Sequence, residues 1–134
     1  MLYVRETQGT VRELIERLTD AATENHFGVL GIHDLRQKMN AKGVEFNSEC
    51  QIMEVCNPQA ARQVLEANPA ISTAMPCRIS IYEQDGRVRV ATIRPTAMLA
   101  MFGNPELDGV AREVEQAMIR IIDTACAAAA PSAG

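Results

Sequence analysis

Cys77-Arg78-Ile79-Ser80-Ile81-Tyr82-Glu83-Gln84-Asp85-Gly86-Arg87-Val88-Arg89-Val90-Ala91-Thr92 holds two alternating runs joined by an Asp-Gly pair. Alternation of apolar and polar residues is the period of a half-buried strand, and Asp-Gly suits a two-residue type I′ turn, so the stretch reads as a β-hairpin. If Gln84 pairs with Arg87, then Ile81 faces Val90 and Ile79 faces Thr92, on a side that also carries Cys77. That side is the more apolar one and needs a cover.

The cover is found at the two ends of the chain. From Thr10 onward Val11, Leu14, Ile15, Leu18, Ala21 and Ala22 recur at helical spacing, and near the C-terminus Val110, Val114, Ala117, Met118, Ile121, Ile122 and Ala125 do the same. Between them lie further strand signals: the alternating Leu2 to Glu6, the apolar run Gly28 to Ile32, and Glu49 to Val55. Asp34 is placed to cap a short helix through about Ala41 that stops at Lys42-Gly43. Asn57 and Pro58 open another helix as N-cap and first residue, with Ala60, Ala61, Val64 and Leu65 as its inward stripe and Asn68-Pro69 as its stop. Pro95 to Met101 predicts a short helix, broken by Gly103-Asn104-Pro105.

Five candidate strands and two long amphipathic helices predict an α+β fold, one sheet with the helices packed against it. No repeat or linker divides the chain, so residues 1–126 are expected to form one domain and residues 127–134 a frayed tail. Short strands with polar alternation, and the lack of a glycine-rich phosphate loop after Gly28, argue against a doubly wound nucleotide-binding fold.

Composition narrows the function classes. The 134 residues are 47% hydrophobic and 22% charged, the balance of a globular domain able to bury its own core. A net charge of -4 and a pI near 5.2 argue against nucleic acid as a partner, since such binding needs clustered Lys and Arg. Apolar stretches fall well short of a membrane span, and Met-Leu-Tyr-Val-Arg-Glu lacks the order of a signal peptide, so a cytoplasmic protein is expected. In a reducing compartment Cys50, Cys56, Cys77 and Cys126 would remain thiols.

Cys56 and Cys77 are the chief chemical candidates. Cys56 precedes the helix opened by Asn57-Pro58, where unpaired N–H groups and the positive end of the helix dipole favour a thiolate. The competing reading makes it a small apolar residue closing a strand. Cys77 is a resolving partner only if the two strands run antiparallel. A parallel crossover would leave the thiols at opposite ends of the sheet, and helix-connected strands more often run parallel.

Asn57 and Glu54 are candidate ligand contacts beside the thiols. Asp34 and Lys42, which bracket the short helix, are candidates for an anion, as are Arg78 and Arg89 on the hairpin face that carries Tyr82. A metal centre is not expected, because only His26 and His33 are available and neither C-x-x-C nor H-x-x-x-H spacing occurs. Met98, Met101 and Met118 read as core or interface filling. No Ser-His-Asp order is present.

The order Gly28-Val29-Leu30, Asp34, Lys42, Cys56-Asn57-Pro58, Ala60, Leu65-Glu66-Ala67, Pro76-Cys77, Tyr82-Glu83, Asp85-Gly86, Pro95, Met98, Gly103-Asn104-Pro105 resembles the domain of unknown function 302 family, over about residues 26 to 122. Cys56-Asn57-Pro58 and Pro76-Cys77 are its most specific pieces. The resemblance implies a compact α+β fold, a homodimer and mostly bacterial or archaeal members, with no established reaction or cofactor. Asp34, Lys42, Cys56, Asn57, Pro58, Pro76 and Cys77 are the residues it covers; Cys50, Cys126 and both histidines lie outside it.

The sequence is therefore read first as a binding or accessory protein with a small-ligand or protein-partner site around Cys56, Asn57 and Cys77. The alternatives are a thiol-dependent redox or sulfur-handling protein, with Cys56 attacking and Cys77 resolving, and a purely structural dimeric subunit.

Overall fold

The computed structural model describes residues 1–129. Five strands, β1 (Leu2–Thr7), β2 (Gly28–Asp34), β3 (Cys50–Cys56), β4 (Cys77–Gln84) and β5 (Arg87–Ile93), form one sheet in the order β1-β5-β4-β3-β2. Every neighbouring pair is antiparallel. The helices are α1 (Val11–Glu24), α2 (Leu35–Ala41), α3 (Pro58–Ala67), α4 (Pro95–Ala100) and α5 (Asp108–Ala129), with 3₁₀ turns at Pro69–Ala74 and Pro105–Leu107. The architecture is α+β, as the hairpin and the two amphipathic helices predict. No helix among the described residues is long and apolar enough to cross a membrane.

The local signals act where the sequence puts them. Asp85 and Gly86 both take positive φ, 54° and 77°, the requirement of a type I′ turn, and the register pairs Gln84 with Arg87 and Ile81 with Val90. Thr10, Asp34 and Asn57 cap α1, α2 and α3, each accepting a backbone N–H three residues on. Helix α1 ends in a Schellman motif: Phe27 N–H donates to Ala22 O at 2.8 Å and His26 N–H to Thr23 O at 3.1 Å. His26 occupies the left-handed position, φ 64°, where glycine is usual.

Some boundaries differ from the sequence reading. β3 ends on Cys56, one residue beyond the expected Val55, because Cys56 still pairs with Gly28 of β2. The chain between Asn68 and Cys77 forms a 3₁₀ turn whose Ile71 is fully buried. Helix α5 runs through Ala129, past the expected start of a tail at 127, and residues 130–134 lie outside the described residues.

The parallel arrangement favoured for β3 and β4 is overturned. The α3 and 3₁₀ connection turns the chain back on itself, and β4 returns beside β3 in the opposite direction, with Val55 opposite Cys77. The end of one strand and the start of the other therefore share a sheet edge.

Two apolar clusters result. The larger packs Leu14 and Leu18 of α1 and Met118, Ile121 and Ile122 of α5 against Met53, Ile79 and Ile81 of the sheet. The smaller gathers Val64, Ile71, Leu107 and Val110 around α3, α4 and the start of α5. Val114 packs against both.

The opposite face of the sheet carries Val4, Ala91, Ser80, Ile52 and His33 in one cross-strand row. Residues of the other parity on β1 turn toward α5, where Tyr3 and Arg5 bond Asp123 and Thr7 bonds Cys126 O.

Candidate functional site

Where the two clusters meet, a cavity of about 50 Å3 remains. Its sheet-side wall is Phe27, delivered by the Schellman turn, with Val55 and Cys77; Cys56 and Asn57 bound it where β3 passes into α3. Helix α3 contributes Ala60, Ala61 and Val64, and α4 with its flank contributes Pro95, Met98 and Leu99. The small Ala60 and Ala61, one helical turn before Val64, leave the space open. Met75 and Pro76, joined by a cis peptide bond, lead into Cys77 at the same wall.

The cavity is chemically uniform. Among the described residues, no carboxylate, imidazole, hydroxyl or ammonium group lines it. Asn57 is the one side-chain amide, and its Oδ1 is occupied by the Ala60 N–H at 3.1 Å. Phe27, Asn57, Ala60, Val110 and Val114 also border a neighbouring, more polar cleft that carries His26, Glu113 and Arg120.

All four cysteines are free thiols. Burial pushes the Cys56 thiol above its ordinary value, because it penalises the charged form. Cys77 is affected more strongly, pushed up to about 11 by burial and then by the neighbouring Cys56 charge. Cys56 and Cys77 both border the cavity. Cys50 and Cys126 are also raised by burial, Cys50 on the uncovered side of the sheet and Cys126 in the main core.

The remaining sequence candidates lie elsewhere. Asp34 Oδ1 accepts from Gln37 N–H at 3.0 Å and serves as the cap of α2; Lys42 is exposed at the other end of that helix. Glu54 stands on the uncovered sheet face. It accepts from His33 Nε2 at 2.9 Å and sits 3.6 Å from Arg78, and the His33 hydrogen bond first, then Arg78, holds its carboxyl below the usual range. Lys38 Nζ lies 2.8 Å from His33 Nδ1, so the imidazole accepts there and donates to Glu54. Arg89 pairs with Glu6 at 3.2 Å, so both arginines read as anion contacts already have carboxylate partners.

Sequence reasoning found the thiols and Asn57 but not Phe27, Ile71, Met75, Val110 or Val114, which complete the wall. Met98 was legible only as filling. The inward stripe of α3 was the one available signal that a surface faces this way.

A family model described as domain of unknown function DUF302 matches residues 3–125. The crystal structure of an uncharacterized conserved DUF302 protein from Bacillus stearothermophilus is similar to this chain, with 30% sequence identity and a TM-score of 0.88, covering 93% of this chain and 97% of that one. No curated protein matches it. With the match spanning nearly the whole fold, and Cys56-Asn57-Pro58 and Pro76-Cys77 meeting at one cavity, the chain belongs to the DUF302 family.

Proposed function

We propose that the protein is a homodimeric binding or accessory protein whose ligand seats in the cavity bounded by Cys56, Asn57 and Cys77. The observation that carries this reading is the wall itself: an apolar enclosure with two thiols and no acid or base suits retention of a small group and offers nothing for proton transfer. Native mass spectrometry of freshly purified protein tests it. A retained adduct that is lost in an Ala61→Leu variant, which fills the cavity, supports the reading; adduct-free protein that also fails to take up any small apolar probe overturns it.

The uncovered sheet face supports the dimer. Three of the large apolar side chains left exposed, Leu2, Val4 and Ile93, lie on this face of β1 and β5. The same face carries Glu6 beside Arg87 and Arg89, and Glu54 beside His33 and Arg78, so both signs of charge are available to a two-fold, self-complementary contact.

The antiparallel neighbours Cys56 and Cys77 favour one second reading, a dithiol that closes to a disulfide. It stands behind binding because the raised thiol pKa values leave little thiolate to begin exchange at neutral pH.

A further inference from the structure

The apolar cavity and the polar cleft beside it are built from shared residues. Phe27, Asn57, Ala60, Val110 and Val114 border both, so the two spaces meet at one seam. The cleft, about 330 Å3, continues from that seam along α5. Val110 and Val114 mark its junction with the cavity, and Glu113, Ala117 and Arg120, three and four residues apart, carry it onward on one face of the helix. Its other wall is the turn after α1, where Asn25 and His26 lead into Phe27. Arg120 Nε donates to Asn25 Oδ1 at 3.2 Å, which ties the two walls together. Arg120 lies six residues beyond Val114, about 9 Å along the helix axis at 1.5 Å per residue. The site is therefore graded from an apolar end to a charged one.

We infer that cavity and cleft together hold a free α-amino acid with a short aliphatic side chain, the side chain in the cavity and the zwitterionic head in the cleft, its carboxylate toward Arg120 and its ammonium toward Glu113. The inference rests on the proposed ligand site and names its ligand class. Size selects the side chain. One water needs at least about 10–15 Å3 of such space, so the cavity of about 50 Å3 has room for roughly four heavy atoms, as in an isobutyl group. The lining selects against a polar side chain, which would lose its water and find no charged partner there, with the Asn57 Oδ1 already taken by Ala60 N–H.

Charge selects the head. Helical side chains lean toward the helix N-terminus, so Arg120 is directed back along its face toward Ala117 and Glu113. Its guanidinium has further N–H donors beyond the one given to Asn25. A carboxylate alone would bring its charge beside Glu113, and an amine alone would meet Arg120. A zwitterion answers both signs.

The test is an amide NMR titration of the full chain with L-leucine, 4-methylpentanoate, 3-methylbutylamine and glycine, in which the second lacks the ammonium, the third the carboxylate and the fourth the side chain. Xenon NMR reports separately whether the cavity admits an apolar guest. Leucine should bind more tightly than the other three. Glu113 and Arg120 are exposed, so each charge should count for about fivefold, the upper scale of a surface ion pair. Arg120→Gln should weaken leucine and 4-methylpentanoate by that factor and spare 3-methylbutylamine. Glu113→Gln should weaken leucine and 3-methylbutylamine and spare 4-methylpentanoate. Ala61→Leu should abolish leucine binding with both charges in place. Binding of either singly charged probe as tight as leucine, or leucine binding indifferent to both charge variants, overturns the inference. Xenon uptake without leucine binding sinks the amino acid and leaves the apolar ligand site standing, whereas uptake of neither sinks both.

Discussion

Val55 of β3 stands directly opposite Cys77 of β4, and this single register pair brings Cys56, the next residue, to the same end of the sheet as Cys77. The pairing is antiparallel because the chain between the strands folds back through α3 and the buried Ile71 instead of crossing over the sheet. Both residues then border one cavity, and its lining is apolar.

Protein stability should fall as the solution becomes alkaline. Cys77 is raised from an ordinary value near 9 to about 11, so between those pH values the unfolded chain releases its proton while the folded one keeps it. A raised pKa gives stability that is complete below the lower value and is lost through the upper one, here about 2–3 kcal/mol. Urea melts at pH 8 and pH 11 should differ by that order, and Cys77→Ala should remove most of the difference. An unchanged difference in the variant would contradict the assignment.

Shortening the cavity wall should separate stability from capacity. Ile71 is fully buried and borders the cavity, so Ile71→Val should cost about 0.5–1.5 kcal/mol in a denaturant melt. The same variant should take up small apolar probes such as xenon more readily, measured by xenon NMR. Lower stability without greater uptake would mean that the space collapses.

Charge placed on the uncovered sheet face should dissociate the proposed dimer. Leu2 and Ile93 are register partners there, 56% and 48% exposed. Ile93→Glu should shift the mass measured by light scattering from dimer to monomer. Met101→Glu, at a residue 72% exposed at the end of α4, should leave it unchanged. Equal responses would remove the sheet face from consideration.

Replacing His26 should strengthen the fold. Its φ of 64° lies in the left-handed region that costs an L-residue about 1–2 kcal/mol, and glycine there is relieved of most of that cost. His26→Gly should raise the thermal midpoint, less the entropy glycine adds to the unfolded chain. A lowered midpoint would show that the imidazole makes a compensating contact.

The elements that were legible in the sequence are those fixed by local chemistry. Asp85-Gly86 determined a turn and with it the register of β4 and β5; Asp34 and Asn57-Pro58 announced their helices; the stripes of α1 and α5 announced the covered face. What was not legible depends on direction and distance. Periodicity identifies β3 and β4 but not whether they run parallel, and the general preference for parallel crossovers pointed the wrong way because Asn68-Pro69 and Ile71 fold the connection back. Cys56 and Cys77 could be singled out by type and position, yet their burial, which raises both pKa values, depends on a tertiary setting that includes Phe27, Met98 and Val114 around the same cavity, far away in the chain. Asp34 and Glu54, read as candidate ligand contacts, bond Gln37 N–H and His33 Nε2, partners that residue type alone does not announce.

Val114 is the residue that packs against both apolar clusters, and the cavity lies along the boundary it bridges. Contacts are thinnest along such a boundary, so local opening should begin there while the five strands stay paired. Amide hydrogen exchange should therefore release α3 and the Ile71 turn before β3, β4 and β5. An occupant of the cavity would slow that release by bracing the two halves together.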